Sequence, residues 1–250
     1  MRLAGFAAAL GFLTRLPTMR ASQGAVAADL ADAAPWLPTV GLVVGLVVAF
    51  AAALGTLLAP TVGALLGLVA WVVVTGALHL DGLGDSADAA GAAHGDPARY
   101  VAVLKDPNAG NFAITAIALQ IAAKLVLLSV LVSHGFAGLA AIVLVAAWAR
   151  CGVLVWSSAL APLTDGLAAR LRRGVTRNAL TANGVVLMLA SLVLAPALLL
   201  APLVVWLGIV LWRRGPVAIN GDGLGALIEV GESVMLLLAA VGLALGLRWL

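Results

Sequence analysis

The chain has 250 residues, of which 64% are hydrophobic and 10% charged, with 14 lysines and arginines against 11 aspartates and glutamates. An ordinary soluble domain is about half apolar and about a quarter charged, so a mean hydropathy of +1.15 excludes a water-soluble globule, a disordered tail and a nucleic-acid-binding arm. The apolar residues run in blocks rather than alternating, which excludes an outer-membrane barrel and leaves an all-α, polytopic integral membrane bundle forming one domain over residues 1–250.

In chain order, the stretch Leu3–Leu13 follows Arg2 as a signal peptide would, but Arg15 interrupts it and no small-x-small cleavage site follows. A retained amphipathic or partly inserted helix is expected there. A span needs about 20 apolar residues to cross the ~30 Å hydrocarbon layer. Residues 36–59 meet that length, and Pro60 and Thr61 mark a turn. Residues 62–80 form the second pass and run directly into an acidic stretch that opens at Asp81. Residues 112–132 and 136–161 are the third and fourth, parted by Ser133, His134 and Gly135. Residues 184–212 would extend roughly 43 Å as one rod, and Pro196 and Pro202 interrupt them, so two short helices or a re-entrant hairpin are expected. Residues 234–250 are the last, giving about six or seven hydrophobic elements. The single cysteine, Cys151, lies within an apolar run and reads as a core residue.

The positive-inside rule orients the bundle. Arg2, Arg15 and Arg20 precede the first span, Arg99 and Lys105 lie between the second and third, and Arg170, Arg172, Arg173 and Arg177 fall in a basic loop over residues 163–183. Even numbers of crossings separate these groups, so all can be cytoplasmic; Arg213 and Arg214 join them only if the 184–212 segment returns to the side it left. On this reading the cytoplasmic face carries two active-site loops, 81–111 and 213–232.

Five acids (Asp81, Asp85, Asp88, Asp96 and Asp106) lie between residues 81 and 106, and three more (Asp222, Glu229 and Glu232) between 222 and 232. On a helix, Asp81, Asp85 and Asp88 fall within about 60° of one face. Two carboxylates ~6 Å apart repel by roughly 3 kcal/mol at an effective dielectric of 20, so folding alone does not favour that row. A hard cation neutralises it: Mg²⁺ commonly takes a few carboxylates and completes its shell with substrate phosphates. Gly82 and Gly84 leave room for a backbone or phosphate to approach. The alternative is a solvated helix end whose aspartates happen to align.

Asp96-Pro97 reads as a helix start, with Asp as N-cap and Pro at the first helical position. Lys105-Asp106-Pro107-Asn108-Ala109-Gly110 is either only a turn or a cation and a base set beside a phosphate. Asp222 reads as an N-cap in a glycine-rich turn, and Glu229 and Glu232 as a wet face; taken alone this cluster is weak. Two cations, Lys124 and Arg150, lie inside spans, where each costs about 2.5–3.5 kcal/mol at a helix centre. Lys124 is near enough to an end to snorkel, whereas Arg150 is the better candidate for an internal role. His79 precedes Asp81 and would orient it, and no histidine has metal-ligand spacing.

Phe12-Leu13-Thr14-Arg15-Leu16-Pro17, His79-Leu80-Asp81-Gly82-Leu83-Gly84-Asp85-Ser86-Ala87-Asp88, Leu104-Lys105-Asp106-Pro107 with Gly110, and Gly221-Asp222-Gly223-Leu224-Gly225-Ala226 with Glu229 and Glu232 resemble, in order and nearly end to end, the cobalamin synthase family (adenosylcobinamide-GDP ribazoletransferase). The chain departs from that pattern at Asn220, where members often have Thr, and at Asn111-Phe112, where another glycine is common. The resemblance implies a Mg²⁺-dependent enzyme of the bacterial inner membrane. It would join adenosylcobinamide-GDP to α-ribazole (or its 5′-phosphate) and release GMP. Apart from the resemblance, the composition makes the lipid bilayer a partner and excludes nucleic acid, and leaves a homo-oligomer open.

Under that resemblance Asp81, Asp85, Asp88 and Asp222 would hold one or two Mg²⁺ ions on the pyrophosphate. Lys105 or Arg99 would steady the leaving phosphate, and Asp106 or a metal-ligating aspartate such as Asp88 would accept the hydroxyl proton. Gly82, Gly84, Asn108, Arg150, Lys124, Glu229 and Glu232 are the candidate substrate-binding residues. Two other activities suit parts of the pattern: a CDP-alcohol or prenyl-type transferase, and a cation-coupled transporter.

Overall fold

The computed structural model describes residues 3–17, 30–215 and 218–247; Arg2, Arg20 and the expected end of the last span at Leu250 lie outside them. Among the described residues the chain is helical, with no strand beyond a single backbone bridge between Pro162 and Ile219. Helix α1 (Leu3–Leu13) buries Ala9 and Leu13 in the core, and a short α2 (Leu30–Ala33) and a 3₁₀ turn through Pro35 lead into α3 (Leu37–Thr56). The first apolar span therefore runs Leu30–Thr56, starting ahead of the expected residue 36 because the turn continues the helix instead of capping it.

Gly41 and Gly45, one turn apart on α3, let that helix close on α8 (Gly135–Ala159): a Cβ at Gly41 would stand 2.6 Å from the Ala146 carbonyl oxygen, and one at Gly45 2.6 Å from the Val143 Cα. Small residues at this spacing are how helices pack where lipid supplies no hydrophobic drive between them. Helix α8 is apolar on every side, and the structure accordingly places it at the centre, with Ile142, Arg150 and Leu154 wholly buried. Side chains such as Phe50 (67% exposed) and Trp206 (57% exposed) form the outward apolar surface expected against lipid.

The second pass differs from expectation. Helix α4 (Pro60–Thr75) stops short of residue 80, because Gly76 (φ +62°) and Ala77 (φ +59°) are left-handed and their N–H groups return to the Val73 and Val72 carbonyls. Helix α5 (Leu78–Ala93) then leaves at 84°, so the acidic stretch turns across the end of the bundle instead of prolonging the span. Helix α6 (Pro97–Val103) starts as expected, with Asp96 accepting from the Ala98 N–H at 2.9 Å. Helix α7 (Asn111–Val132) and α8 match the third and fourth expected spans to within one or two residues.

Helix α9 (Leu167–Gly174) is amphipathic, burying Ala168 and Leu171 and turning Arg170, Arg172 and Arg173 outward. The long proline-interrupted segment is two helices, α10 (Arg177–Leu194) and α11 (Ala201–Trp212), joined by a 3₁₀ turn that opens at Pro196. It begins at Arg177 instead of residue 184, since Thr176 caps the Ala179 N–H at 3.1 Å. It also returns to where it left: Arg213 donates from Nη2 to the Ala159 carbonyl at the end of α8, and Ile219 pairs with Ala161 and Leu163. The last helix, α12 (Gly221–Ala244), starts well before residue 234 and carries Asp222, Glu229 and Glu232 within it. Among the described residues five helical segments are long and apolar enough to cross a membrane, or six if the bent α4–α5 pair counts as one.

Candidate active site

The site is built where α5 crosses the start of α12. Asn220 caps α12, accepting from the Gly223 N–H at 2.8 Å while its Nδ2 donates to Asp222 Oδ2 at 2.8 Å. Gly82 makes the crossing: a Cβ there would sit 2.8 Å from the Asp222 carbonyl oxygen, and one at Gly225 3.4 Å from the His79 backbone. The two acidic stretches, about 140 residues apart in sequence, thus share one end of the bundle.

Asp81 is exposed, and Asp85 and Asp88 are half-buried. Partial burial, then the charges of Asp81, Asp222 and Asp88, hold the Asp85 carboxyl above the ordinary carboxylate range. That mutual repulsion is the electrostatic mark of carboxylates gathered without a cation among them. Asp88 points elsewhere: its two oxygens accept from the Gly110 and Ala113 N–H groups, so it caps α7 from a neighbouring helix and meets the positive end of that helix's dipole.

Asp81 and Asp222 also border a cavity of about 120 Å³ walled by Phe12, Leu78, Leu167 and Leu224 and reached by His79. A second cavity, of about 310 Å³, lies against Ser86, Tyr100, Trp212 and Leu227.

The residues of the 99–108 segment are outside this cluster. Tyr100 anchors α6 by packing on Ala89 and Ala93, which leaves Arg99, Lys105, Asp106 and Asn108 exposed. Asp106 accepts from the Asn108 N–H at 3.0 Å and from its Nδ2 at 2.8 Å, and these bonds hold its carboxyl below the usual range, which makes it a poor proton acceptor. Among the described residues no hydrogen bond or ion pair joins Arg99, Lys105 or Asp106 to the α5 carboxylates.

Lys124, Arg150, Glu229 and Glu232 form a closed network inside the bundle. Glu229 accepts from Lys124 Nζ at 2.6 Å and from Gln120 Nε2 at 2.9 Å, and Glu232 receives both Lys124 and Arg150. Arg150 also donates to the Ala146 carbonyl at 3.2 Å and to His79 Nδ1 at 3.3 Å, and Lys124 stands 4.6 Å over the Trp71 ring. Two cations and two anions cancel. Lys124 does not snorkel, being 3% exposed, and Glu229 and Glu232 are not a wet face, at 3% and 0% exposed: each acid faces a cation from α7 or α8. None of the four borders the cavity beside Asp81 and Asp222; among the described residues His79 connects the network with it.

Sequence reasoning missed Gln120, Trp71 and the contribution of α1 through Phe12. A lone Gln in an apolar run, where an unpaired amide is costly, was the available signal for the first.

A family model described as Cobalamin-5-phosphate synthase matches residues 5–240. The chain is similar to proteins named adenosylcobinamide-GDP ribazoletransferase from Thiobacillus denitrificans (47% identical, covering 96% of both chains), Novosphingobium aromaticivorans (48%, covering 95% of this chain and 96% of that one) and Laribacter hongkongensis (50%, covering 96% and 97%). No solved structure matches it. With the acidic α5 and the start of α12 joined at one end of a multi-pass helical bundle, and with likeness running along nearly the whole length, the chain belongs to the Cobalamin-5-phosphate synthase family.

Proposed function

We propose that the protein joins adenosylcobinamide-GDP to α-ribazole or its 5′-phosphate, releasing GMP. The observation that carries this is the meeting of Asp81 and Asp85 on α5 with Asp222 on α12, where Asp81 and Asp222 border a cavity. A ribose hydroxyl attacks the phosphorus on the cobinamide side of the diphosphate, the new O–P bond forms, and the bond to the GMP oxygen breaks. Such displacements need alignment and charge neutralisation more than covalent help.

The donor set suits Mg²⁺. Carboxylate oxygens are donors that Mg²⁺ takes, its shell completed by substrate phosphates; among the described residues no three His, Cys, Asp or Glu side chains close on one point, so one or two carboxylates would hold it. These would come from Asp81, Asp85 and Asp222, and the ion would neutralise charge on the diphosphate. Asp81 or Asp222, beside the cavity, takes the hydroxyl proton. The low-lying carboxyl of Asp106 argues against that role for it, and Asp88, with both oxygens on backbone N–H groups, is best read as a cap. Arg99 and Lys105, exposed on the adjoining segment, steady the GMP phosphate once a substrate spans the gap.

The bundle end that holds the acids also carries Arg213, and α9 with its arginines precedes the return segment, which under the positive-inside rule supports a cytoplasmic position for this end; the reading as an inner-membrane protein rests on the family likeness. The test is GMP release by purified protein given both substrates, with and without magnesium. Magnesium-dependent GMP formation matched by corrinoid product supports the reading; no GMP from this donor, or CMP or pyrophosphate release when a CDP-alcohol or a prenyl diphosphate is offered instead, refutes it.

A further inference from the structure

We propose that the cavity between α1, α5, α9 and α12 is the subsite for the acceptor nucleoside. Its apolar walls take the flat dimethylated bicyclic base, and the His79 Nε2 hydrogen is the side-chain donor offered to it. This rests on the transferase reading above.

The tautomer follows from the inner network. An arginine guanidinium has no acceptor atom, so the contact of Arg150 Nη2 with His79 Nδ1 makes Nδ1 the acceptor and leaves the ring proton on Nε2. Glu232 holds Arg150 in place from the other side. His79 is 3% exposed, its Nε2 has no hydrogen-bond partner, and the residue borders the cavity. Buried donors are rarely left unpaired, so an acceptor atom entering the cavity completes the site.

The rest of the lining decides between the two nucleosides of the reaction. Phe12, Leu78, Leu167 and Leu224 offer no polar side-chain atoms, and among the described residues the other polar side chains of the lining are Asp81 and Asp222, the acids assigned above to the reacting phosphorus. Guanine carries donors and acceptors along both edges, and these would go unpaired against such walls. As the base of α-ribazole, dimethylbenzimidazole has apolar edges and one free ring nitrogen that only accepts, which match one N–H donor and an apolar slot. A base seated among these side chains puts its ribose toward the carboxylates, where the hydroxyl must lose its proton.

The experiment measures KM for α-ribazole and for adenosylcobinamide-GDP by GMP release, using the full chain in phospholipid nanodiscs, for wild type, Leu78→Trp and His79→Phe. Leu78 is 39% exposed at the cavity rim, so the larger ring enters the cavity instead of the core. The expected result is a rise of tenfold or more in the α-ribazole KM for both variants, with the donor KM within twofold. Free 5,6-dimethylbenzimidazole should compete with α-ribazole in wild type and lose potency in Leu78→Trp. Should Leu78→Trp not fold, Leu167→Trp fills the cavity from the opposite wall and is read the same way. A raised donor KM with the acceptor KM unmoved assigns the cavity to guanine and overturns the proposal, as does no change in either. A wild-type protein that releases no GMP overturns the transferase reading itself, a distinct failure.

Discussion

Two groups of carboxylates in this molecule have opposite surroundings. Glu229 and Glu232 lie deep in the bundle, each bound to cations from α7 or α8 and cut off from solvent. Asp81, Asp85 and Asp222 lie at the bundle end, repelling one another with no lysine or arginine paired to them among the described residues. A buried acid that finds a base holds helices together. Acids gathered without one leave charge for a ligand to neutralise, and that contrast separates architecture from chemistry more cleanly than the acid count does.

The contrast can be broken first on the inner side. Glu232→Ala leaves Arg150 buried and unpaired, and removing one partner of a buried pair costs about 3–5 kcal/mol. Chemical unfolding of the purified protein should show that loss, and the double variant Glu232→Leu with Arg150→Met should recover most of it. On the outer side, Asp81→Asn and Asp222→Asn should each lower turnover about 10²- to 10³-fold, or roughly 3–4 kcal/mol of transition-state stabilisation. Their unfolding midpoints should hold or rise, because a repulsion has been relieved. Full turnover in both would remove the outer acids from the chemistry.

Gly82→Val forces a side chain against the Asp222 backbone and should cost about 1–3 kcal/mol of stability, with turnover falling as α5 and α12 separate. Asp88→Ala removes a helix cap worth about 1 kcal/mol and should leave turnover within severalfold of wild type, unlike its neighbours on the row. The smallest effect concerns pH. Asp85 is harder to ionise folded than unfolded, so the folded state holds its proton longer. Its contribution to the stability of the magnesium-free protein is therefore present at low pH and lost as pH rises through the raised folded value. Asp85→Asn should flatten that part of the stability profile; an unchanged profile would show that the acids do not feel one another.

Much of the bundle was legible from apolar runs. Helices α7 and α8 lie where twenty-odd largely apolar residues, with one cation in each run, place them, and the proline-broken segment divides as its length and prolines require. The boundary at Gly76–Ala77 was not, because the residues stay apolar through Leu80 and only a pair of positive φ angles turns the chain. The last span was started too late for the opposite reason: its acids read as a wet helix face outside the bundle, since their partners Lys124 and Arg150 are more than 80 residues away and no local pattern announces the pairing. For the site, the row of three aspartates and the glycines beside it were readable from spacing, while the cap role of Asp88 and the isolation of Asp106 came only from tertiary contacts.

The right-angle departure of α5 from α4 gives the acids a flank of the helix instead of its end. Asp81 and Asp85, one turn apart, lie about 6 Å from each other along its axis beside the start of α12. On the proposed reaction only the donor's slender diphosphate tether would have to lie along that flank, so the macrocycle itself need not enter the bundle.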